Sequence, residues 1–180
     1  MLDPTIGYLI DFCGAALLAG AAGHKWRRLG DFSESFAAYR LMPAAWAHGL
    51  ARVIPILESA ICVALILPWA HRGGALAAAT LLSIYAVAIA LNLARGRREL
   101  DCGCAGPGRR RPIGAWMVWR NLLFAALLAM AASPWSSRPL TAADLLTITA
   151  GLTVIALLDV SIEQLAAEIA PRGLAIRGRA

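Results

Sequence analysis

Long apolar stretches separated by short polar connections make up most of the chain. Five such stretches, each bounded by charged residues, tryptophan or proline, extend from about Pro4 to Gly23, Trp46 to Trp69, Gly74 to Ala94, Ile113 to Ala132, and Leu140 to Leu158. Each is close to the roughly 20 residues that a helix needs to cross a bilayer. Lipid offers the backbone no hydrogen-bond partner, so only a helix satisfies such a segment internally. The pattern predicts an all-α polytopic membrane bundle with about five transmembrane helices.

The connection between the first two stretches predicts a short helix of its own. Asp31 can cap such a helix, and Phe32, Phe36 and Tyr39 then fall on one face. An amphipathic helix of this kind lies at the membrane interface. The alternative is an exposed loop whose aromatic residues are there by chance.

Composition agrees with a membrane protein and limits the choice of partners. Hydrophobic residues make up 59% of the chain, the mean hydropathy is +0.65, and charged residues make up 16%, against about 25% in soluble proteins. The length suits one domain, which we place at residues 1–165, followed by a flexible basic tail at residues 166–180. The net charge of +6 should mark loops and contact lipid headgroups. We therefore expect the lipid bilayer, and not nucleic acid, as the partner.

The basic residues also predict an orientation. With five spans, thirteen of the seventeen lysines and arginines fall on the side of the first loop, the third loop and the tail, and two, Arg72 and Arg138, fall on the other. Cytoplasmic loops carry the excess of Lys and Arg. The N-terminus is therefore predicted in the periplasm of a bacterial inner membrane, and the third loop on the cytoplasmic side.

That third loop contains two closely spaced cysteines. Cys102 and Cys104 flank a single glycine within "ELDCGCAGPGRRRP". Gly103 supplies the backbone freedom that a disulfide across so short a ring requires, and such a ring gains only about 1.6 kcal/mol from loop closure. A bond of that kind is easily reduced, which suits a redox pair. The alternatives are a zinc or copper site shared with His24 or His48, and an inactive reduced loop.

One acid lies near the middle of the second stretch. An ionised Glu58 costs about 2.5 to 3.5 kcal/mol there on insertion scales, so it requires a partner or a proton. Ile54, Glu58 and Cys62 share a helical face, which places Cys62 one turn from the acid. Glu58 could relay a proton or bond to a bound quinone; the alternative is a protonated acid bonded to an adjacent helix. Asp11 in the first stretch is a lesser case of the same kind.

Three further polar residues border the cysteine loop. Asn92 ends the third stretch, and Arg120 and Asn121 open the lipid-immersed part of the fourth. They are expected to converge beneath the loop, where they could anchor it or bind a polar group such as a quinone. For Arg120 the alternative is snorkelling to the interface. The sequence contains no phosphate-binding loop, no Ser-His-Asp pattern and no H-E-x-x-H motif, so hydrolase and nucleotide-binding interpretations have no support.

Several motifs together resemble a known family. In order and spacing, "AAGHKW", "FSESFAAYRLMP", "PILESA", "ALNLARGRRELDCGCAGPG" and "WRNLL" resemble the MauE membrane proteins of methylamine utilisation, which are related to the DoxX-like group of small redox-associated helical bundles. The similarity covers nearly the whole chain. Many relatives have an aromatic residue after the second cysteine, whereas this chain has Ala105, and the cysteine spacing is unchanged.

The resemblance implies a role in protein maturation. MauE-type proteins are thought to help produce the disulfide-rich small subunit of methylamine dehydrogenase in the periplasm, alongside a thioredoxin-like partner of MauD type. The matching positions are the Cys102 and Cys104 pair, the membrane acid Glu58, and Arg120 with Asn121. The resemblance also implies a four-helix core with one additional C-terminal helix.

Three classes of function remain open at this point. In the leading hypothesis, Cys102 and Cys104 cycle between dithiol and disulfide and support disulfide formation or isomerisation in a periplasmic client, as a thiol-disulfide oxidoreductase would. A cytoplasmic loop would then require reducing equivalents to cross the bilayer, whereas a quinone-linked oxidase of DsbB type would require the opposite orientation. The other classes are a non-enzymatic docking factor and a metal-transfer protein. A quinone is the one organic cofactor that these hypotheses name.

Overall fold

The polypeptide folds as a bundle of α-helices. A computed structural model describes residues 1–41, 43–100 and 113–177. Within these residues the helices are α1 (Pro4–Arg27), α2 (Leu29–Ala38), α3 (Ala44–Ile66), α4 (His71–Ala94), α5 (Ala115–Ala131) and α6 (Ala142–Arg177). The described part of the chain has no strand longer than the isolated bridge between Leu2 and Trp135. The all-α prediction is confirmed.

Each of the five apolar stretches forms a helix, and four of these helices are long and apolar enough to cross a membrane. The four are α1, Trp46–Ile66 of α3, α4, and Ala142–Ile162 of α6. The fifth, α5, has 17 residues and is therefore about 25 Å long at 1.5 Å per residue, slightly short of a hydrocarbon core of about 30 Å. α6 continues through Arg177, past the boundary that the sequence suggests at residue 165.

Four helices, α1, α3, α4 and α5, pack around a common apolar core, and α6 lies outside it against α1. The centre of this core contains Leu18, Leu65, Leu82 and Leu128, all of them buried. Gly74 lets α4 approach α3 closely, since a Cβ at this position would lie 2.9 Å from the α3 backbone. Large apolar side chains on the outer faces are exposed, as expected where a bundle meets lipid.

The short helix predicted after α1 is present, but its predicted cap is wrong. α2 begins at Leu29, with Arg28 at the N-cap position and no capping side chain. α1 runs almost directly into α2, so the backbone N–H of Phe32 bonds to the Arg28 carbonyl at 3.0 Å. Asp31 instead faces Arg28 at 3.4 Å on the surface. Phe32 is buried and packs against Ile54 of α3, which holds α2 across the bundle.

The bundle has two ends that differ in their polar contacts. The end where α1 and α4 finish and α3 and α5 begin is called the α2 end here. At the opposite end, Arg138 bonds to Asp3 at 2.8 Å and to Asp144 at 2.7 Å. This network joins the start of α1, the connection before α6 and the first turn of α6.

Candidate functional site

The acid in the middle of α3 forms a buried ion pair. Glu58 is 0% exposed and Lys25, on α1, is 2% exposed; Lys25 Nζ lies 2.5 Å from Glu58 Oε1. The Tyr85 hydroxyl of α4 donates to the same oxygen at 2.8 Å. Three helices thus supply one polar cluster, which we call the Glu58 cluster. The sequence indicated that Glu58 needs a partner or a proton, and the structure provides a cation and a hydroxyl.

Aromatic rings complete the surroundings of the lysine. Lys25 Nζ lies 5.2 Å from the centroid of the Phe32 ring and 5.4 Å from that of Tyr85. Cations gain energy over aromatic faces, more so when desolvated. Burying two charges is nevertheless expensive and needs close to full compensation. Here the compensation is incomplete, because Glu58 Oε2 is buried without a hydrogen-bond partner among the described residues.

A cavity of about 570 Å³ adjoins the Glu58 cluster. All of the five helices from α1 to α5 contribute to its wall. Its polar wall includes all three members of the cluster together with Arg120 and Asn121, and its α1 wall consists largely of small residues, Ala16, Ala19, Gly20 and Gly23 among them. Aromatic side chains of α2 close the α2 end. The volume falls in the range of about 300–1,000 Å³ that is typical of small-molecule sites.

Two of the polar residues singled out from the sequence reach this cavity, and the third does not line it. Arg120 and Asn121 lie on the α5 wall, where the Arg120 guanidinium stacks 4.9 Å from the Trp116 ring. Asn92 is fully buried elsewhere at the α2 end. Its amide nitrogen donates to the Ala88 carbonyl at 3.0 Å and its amide oxygen accepts from Arg97 at 3.2 Å.

Arg97 is a structural residue that the sequence reasoning missed. Gly96 adopts a φ of +73° after α4, and the backbone N–H of Arg97 returns to the Asn92 carbonyl at 3.0 Å, as in a Schellman turn. The turn directs the guanidinium to the carbonyls of Ala38 and Tyr39, at 2.9 Å and 3.3 Å. Asn92 and Arg97 therefore fasten the end of α2 to α4.

Cys102 and Cys104 lie outside the described residues, but the chain on both sides is placed. The backbone N–H of Ile113 donates to the Leu100 carbonyl at 3.0 Å, so the two ends of the cysteine-containing segment meet. Ile113 packs with Tyr39, Ile89 and Met117. Tyr39 and Ile89 also line the cavity, so these ends lie beside it.

The other two cysteines are inside the bundle as free thiols. Cys13 is buried, and the Cys62 thiol lies 3.4 Å from the Ala15 carbonyl. Small, weakly polar side chains of this kind are ordinary packing residues between helices.

A second buried acid lies nearer the opposite end. Asp11 is fully buried, and its Oδ2 lies 3.3 Å from Nδ1 of His71. The imidazole packs on Trp135 with 4.1 Å between ring centroids. Sequence reasoning flagged Asp11 but missed His71, which directly follows the turn from Leu67 to Ala70. Among the described residues, no group of three or more His, Cys, Asp and Glu side chains could hold a metal ion.

Fold and site together define a small polytopic helical membrane protein with a buried acid-base cluster beside a cavity. Comparison with known families refines this class. A model described as "Methylamine utilisation protein MauE" matches residues 4–136, and the chain belongs to the MauE family. The match includes α1 to α5 and the cysteine motif. The resemblance inferred from the sequence motifs is confirmed.

Curated relatives agree with this assignment. A protein of Paracoccus versutus named "Methylamine utilization protein MauE" is 35% identical over 180 residues, covering 98% of this chain and 97% of the relative. Proteins of the same name from Paracoccus denitrificans and Methylorubrum extorquens are 33% and 36% identical, covering 71% and 73% of this chain and 68% and 69% of the relatives. No solved structure matches the chain.

Proposed function

We propose that this protein is a membrane thiol-disulfide protein that supports maturation of the small subunit of methylamine dehydrogenase. The supporting observation is the MauE match over residues 4–136, which includes the Cys102 and Cys104 pair. The dehydrogenase subunit and a thioredoxin-like protein of MauD type are the proposed partners. The proposed location is the bacterial inner membrane.

The chemistry of the pair is thiol-disulfide exchange. The thiolate of one cysteine attacks a disulfide of the thioredoxin-like partner, forming a mixed disulfide and releasing one partner thiolate. The second cysteine then attacks the mixed disulfide, so that Cys102 and Cys104 become oxidised and the partner gains two electrons and two protons. The reverse sequence introduces a disulfide. Six nearby arginines favour the thiolate that attacks.

The charge distribution supports an orientation with the N-terminus in the periplasm and the cysteine segment on the cytoplasmic side. In that orientation the protein would import reducing equivalents, and direct exchange with a periplasmic partner would require the cysteine pair to reach the periplasmic side. A membrane-impermeant thiol reagent applied to intact cells tests this, with Cys13 and Cys62 replaced by alanine so that only the pair reacts. Protection in intact cells with labelling in opened membranes supports the cytoplasmic placement. Labelling from outside after reduction contradicts it and favours the quinone-linked oxidase.

The maturation role is tested by replacing both motif cysteines with serine. In a strain that depends on this gene for active methylamine dehydrogenase, the Cys102→Ser/Cys104→Ser variant should yield little small subunit with complete disulfides, because no exchange can occur. The Cys13→Ser/Cys62→Ser variant is the matched control and should retain maturation. Full maturation by the first variant would refute redox function and leave a docking factor.

A further inference from the structure

The cavity beside the Glu58 cluster opens toward lipid along α1. Ala16, Ala19 and Gly20 line it and are exposed, and they lie in the part of α1 that can cross the membrane. A Cβ on Gly20 would meet no described atom within 4 Å. A molecule dissolved in the bilayer can therefore reach the cavity sideways along this surface of small residues.

One carboxylate oxygen of the Glu58 cluster has no hydrogen-bond donor among the described residues. Glu58 Oε1 accepts from Lys25 and Tyr85, whereas Oε2 is buried and has no partner among the described residues. A buried acceptor without a donor costs about 1–3 kcal/mol, more when it carries charge. The α5 wall of the cavity carries Asn121, whose amide can donate a hydrogen bond. The cavity is thus complementary to a head group that donates on one side and accepts on the other.

Charge and shape restrict the head group further. Lys25 already neutralises Glu58, and a carboxylate oxygen accepts hydrogen bonds but cannot donate them, so an anionic head group without a proton to donate does not pair with Oε2. A phosphate or a fatty-acid carboxylate is therefore disfavoured beside Oε2. Arg27 and Arg120 also line the cavity, which makes an anionic lipid the competing occupant that the test below distinguishes. Aromatic rings from Phe32 and Tyr85 surround the cluster, and flat rings stack well on such surfaces. A neutral ring with hydroxyl or carbonyl groups and an apolar tail satisfies all of these conditions.

We propose that the cavity binds a membrane quinol or quinone. In the quinol state a ring hydroxyl donates to Glu58 Oε2, and the isoprenoid tail leaves along the small-residue surface of α1. Binding does not require Cys102 or Cys104, so this inference goes beyond the maturation role and can stand or fall independently of it. Because a carboxylate oxygen accepts hydrogen bonds and cannot donate them, the site should prefer quinol over quinone.

Binding is measured on the purified full-length protein in phosphatidylcholine nanodiscs, titrated with decylubiquinol and with decylubiquinone. We expect one saturable site with quinol bound about tenfold more tightly than quinone, the equivalent of one hydrogen bond of about 1.4 kcal/mol. Glu58→Gln replaces an acceptor by an amide donor and should abolish or reverse that preference. Binding without any preference, or no saturable binding, would overturn the proposal.

A second variant tests the site without disturbing the buried ion pair. Gly20→Leu should fill the cavity and weaken quinol binding at least tenfold. Gly73→Leu is the matched control, because a Cβ there also meets no described atom within 4 Å and Gly73 does not line the cavity. Equal quinol binding by both variants would place the ligand elsewhere and refute the proposal. Displacement of quinol by equimolar phosphatidylglycerol would identify an anionic lipid as the occupant and would refute it as well. The Cys102→Ser/Cys104→Ser variant should bind quinol normally whatever its maturation activity.

Discussion

Removing one member of the Lys25–Glu58 pair should destabilise the bundle strongly. With exposures of 2% and 0%, the remaining charge would be buried without its partner. Breaking a buried pair in this way costs about 3–5 kcal/mol, or about two to four powers of ten in the folding equilibrium. We expect Glu58→Gln and Lys25→Met each to lie in this range. The double variant leaves no buried charge and should be more stable than either single variant.

Reversible unfolding in mixed micelles, followed by circular dichroism as the fraction of denaturing detergent rises, measures these differences. The surface pair of Arg28 and Asp31 is the control, since its side chains are 46% and 73% exposed at 3.4 Å. Such pairs contribute about 0–1 kcal/mol, so Asp31→Asn should have little effect. The reasoning fails if Glu58→Gln costs no more than Asp31→Asn, or if the double variant is no more stable than the singles.

Three further predictions concern the frame around the site. Gly74→Ala should cost about 1–3 kcal/mol, because its Cβ would lie 2.9 Å from the α3 backbone; in thermal unfolding Gly73→Ala should not show this loss. Arg97→Ala should speed hydrogen exchange at the end of α2 by removing two carbonyl contacts, and exchange unchanged from wild type would contradict this role. Hydrogen bonds from Arg138 lower the pKa of Asp3 from 3.8 to about 2. The stability that this carboxylate contributes is therefore present above pH 3.8 and is lost as the pH falls to about 2. The stability difference between wild type and Asp3→Asn should shrink over that interval, and a difference independent of pH would refute the linkage.

Hydropathy alone predicted most of the helices, because lipid leaves a long apolar segment few options. It placed the end of the first segment at Gly23, however, whereas α1 continues to Arg27. That extension puts Lys25 inside the bundle and gives Glu58 its cation. A charged residue two positions from the end of the helix looks like a loop residue in sequence, and only the crossing of α1 and α3 shows where its side chain lies.

The polar contacts at the α2 end were harder to predict for a different reason. Asn92 was correctly singled out as a buried polar residue, yet its contact with Arg97 depends on the left-handed turn at Gly96. Glycine permits that conformation but does not require it. His71 is a similar case, because its contact with Asp11 joins residues of two helices whose pairing the sequence does not specify.

The two buried polar clusters, Asp11 with His71 and the Glu58 cluster, are separated by apolar packing along α1. This separation bears on how the proposed activities could be connected. Asp11 and Lys25 are 14 positions apart on α1, about 21 Å at 1.5 Å per residue, and the inward side chains between them include Leu18 and Ala22. Along α1, apolar packing therefore separates the two clusters. The cavity and both ends of the cysteine segment lie together at the α2 end, where Tyr39 contacts each.

This shared location favours a short route for electrons if both proposals hold. Oxidation of the Cys102 and Cys104 dithiol to a disulfide releases two electrons and two protons, which is what reduction of one quinone to quinol consumes. Both reactions would then occur at the α2 end, and no electron would need to cross the bundle. The periplasmic client would have to meet the disulfide at the α2 end, so that end would have to face the periplasm. The distribution of arginines predicts instead that it faces the cytoplasm. Labelling of the cysteine pair from outside intact cells would therefore support the quinone-linked route, whereas protection would leave the cavity and the periplasmic client on opposite sides of the membrane.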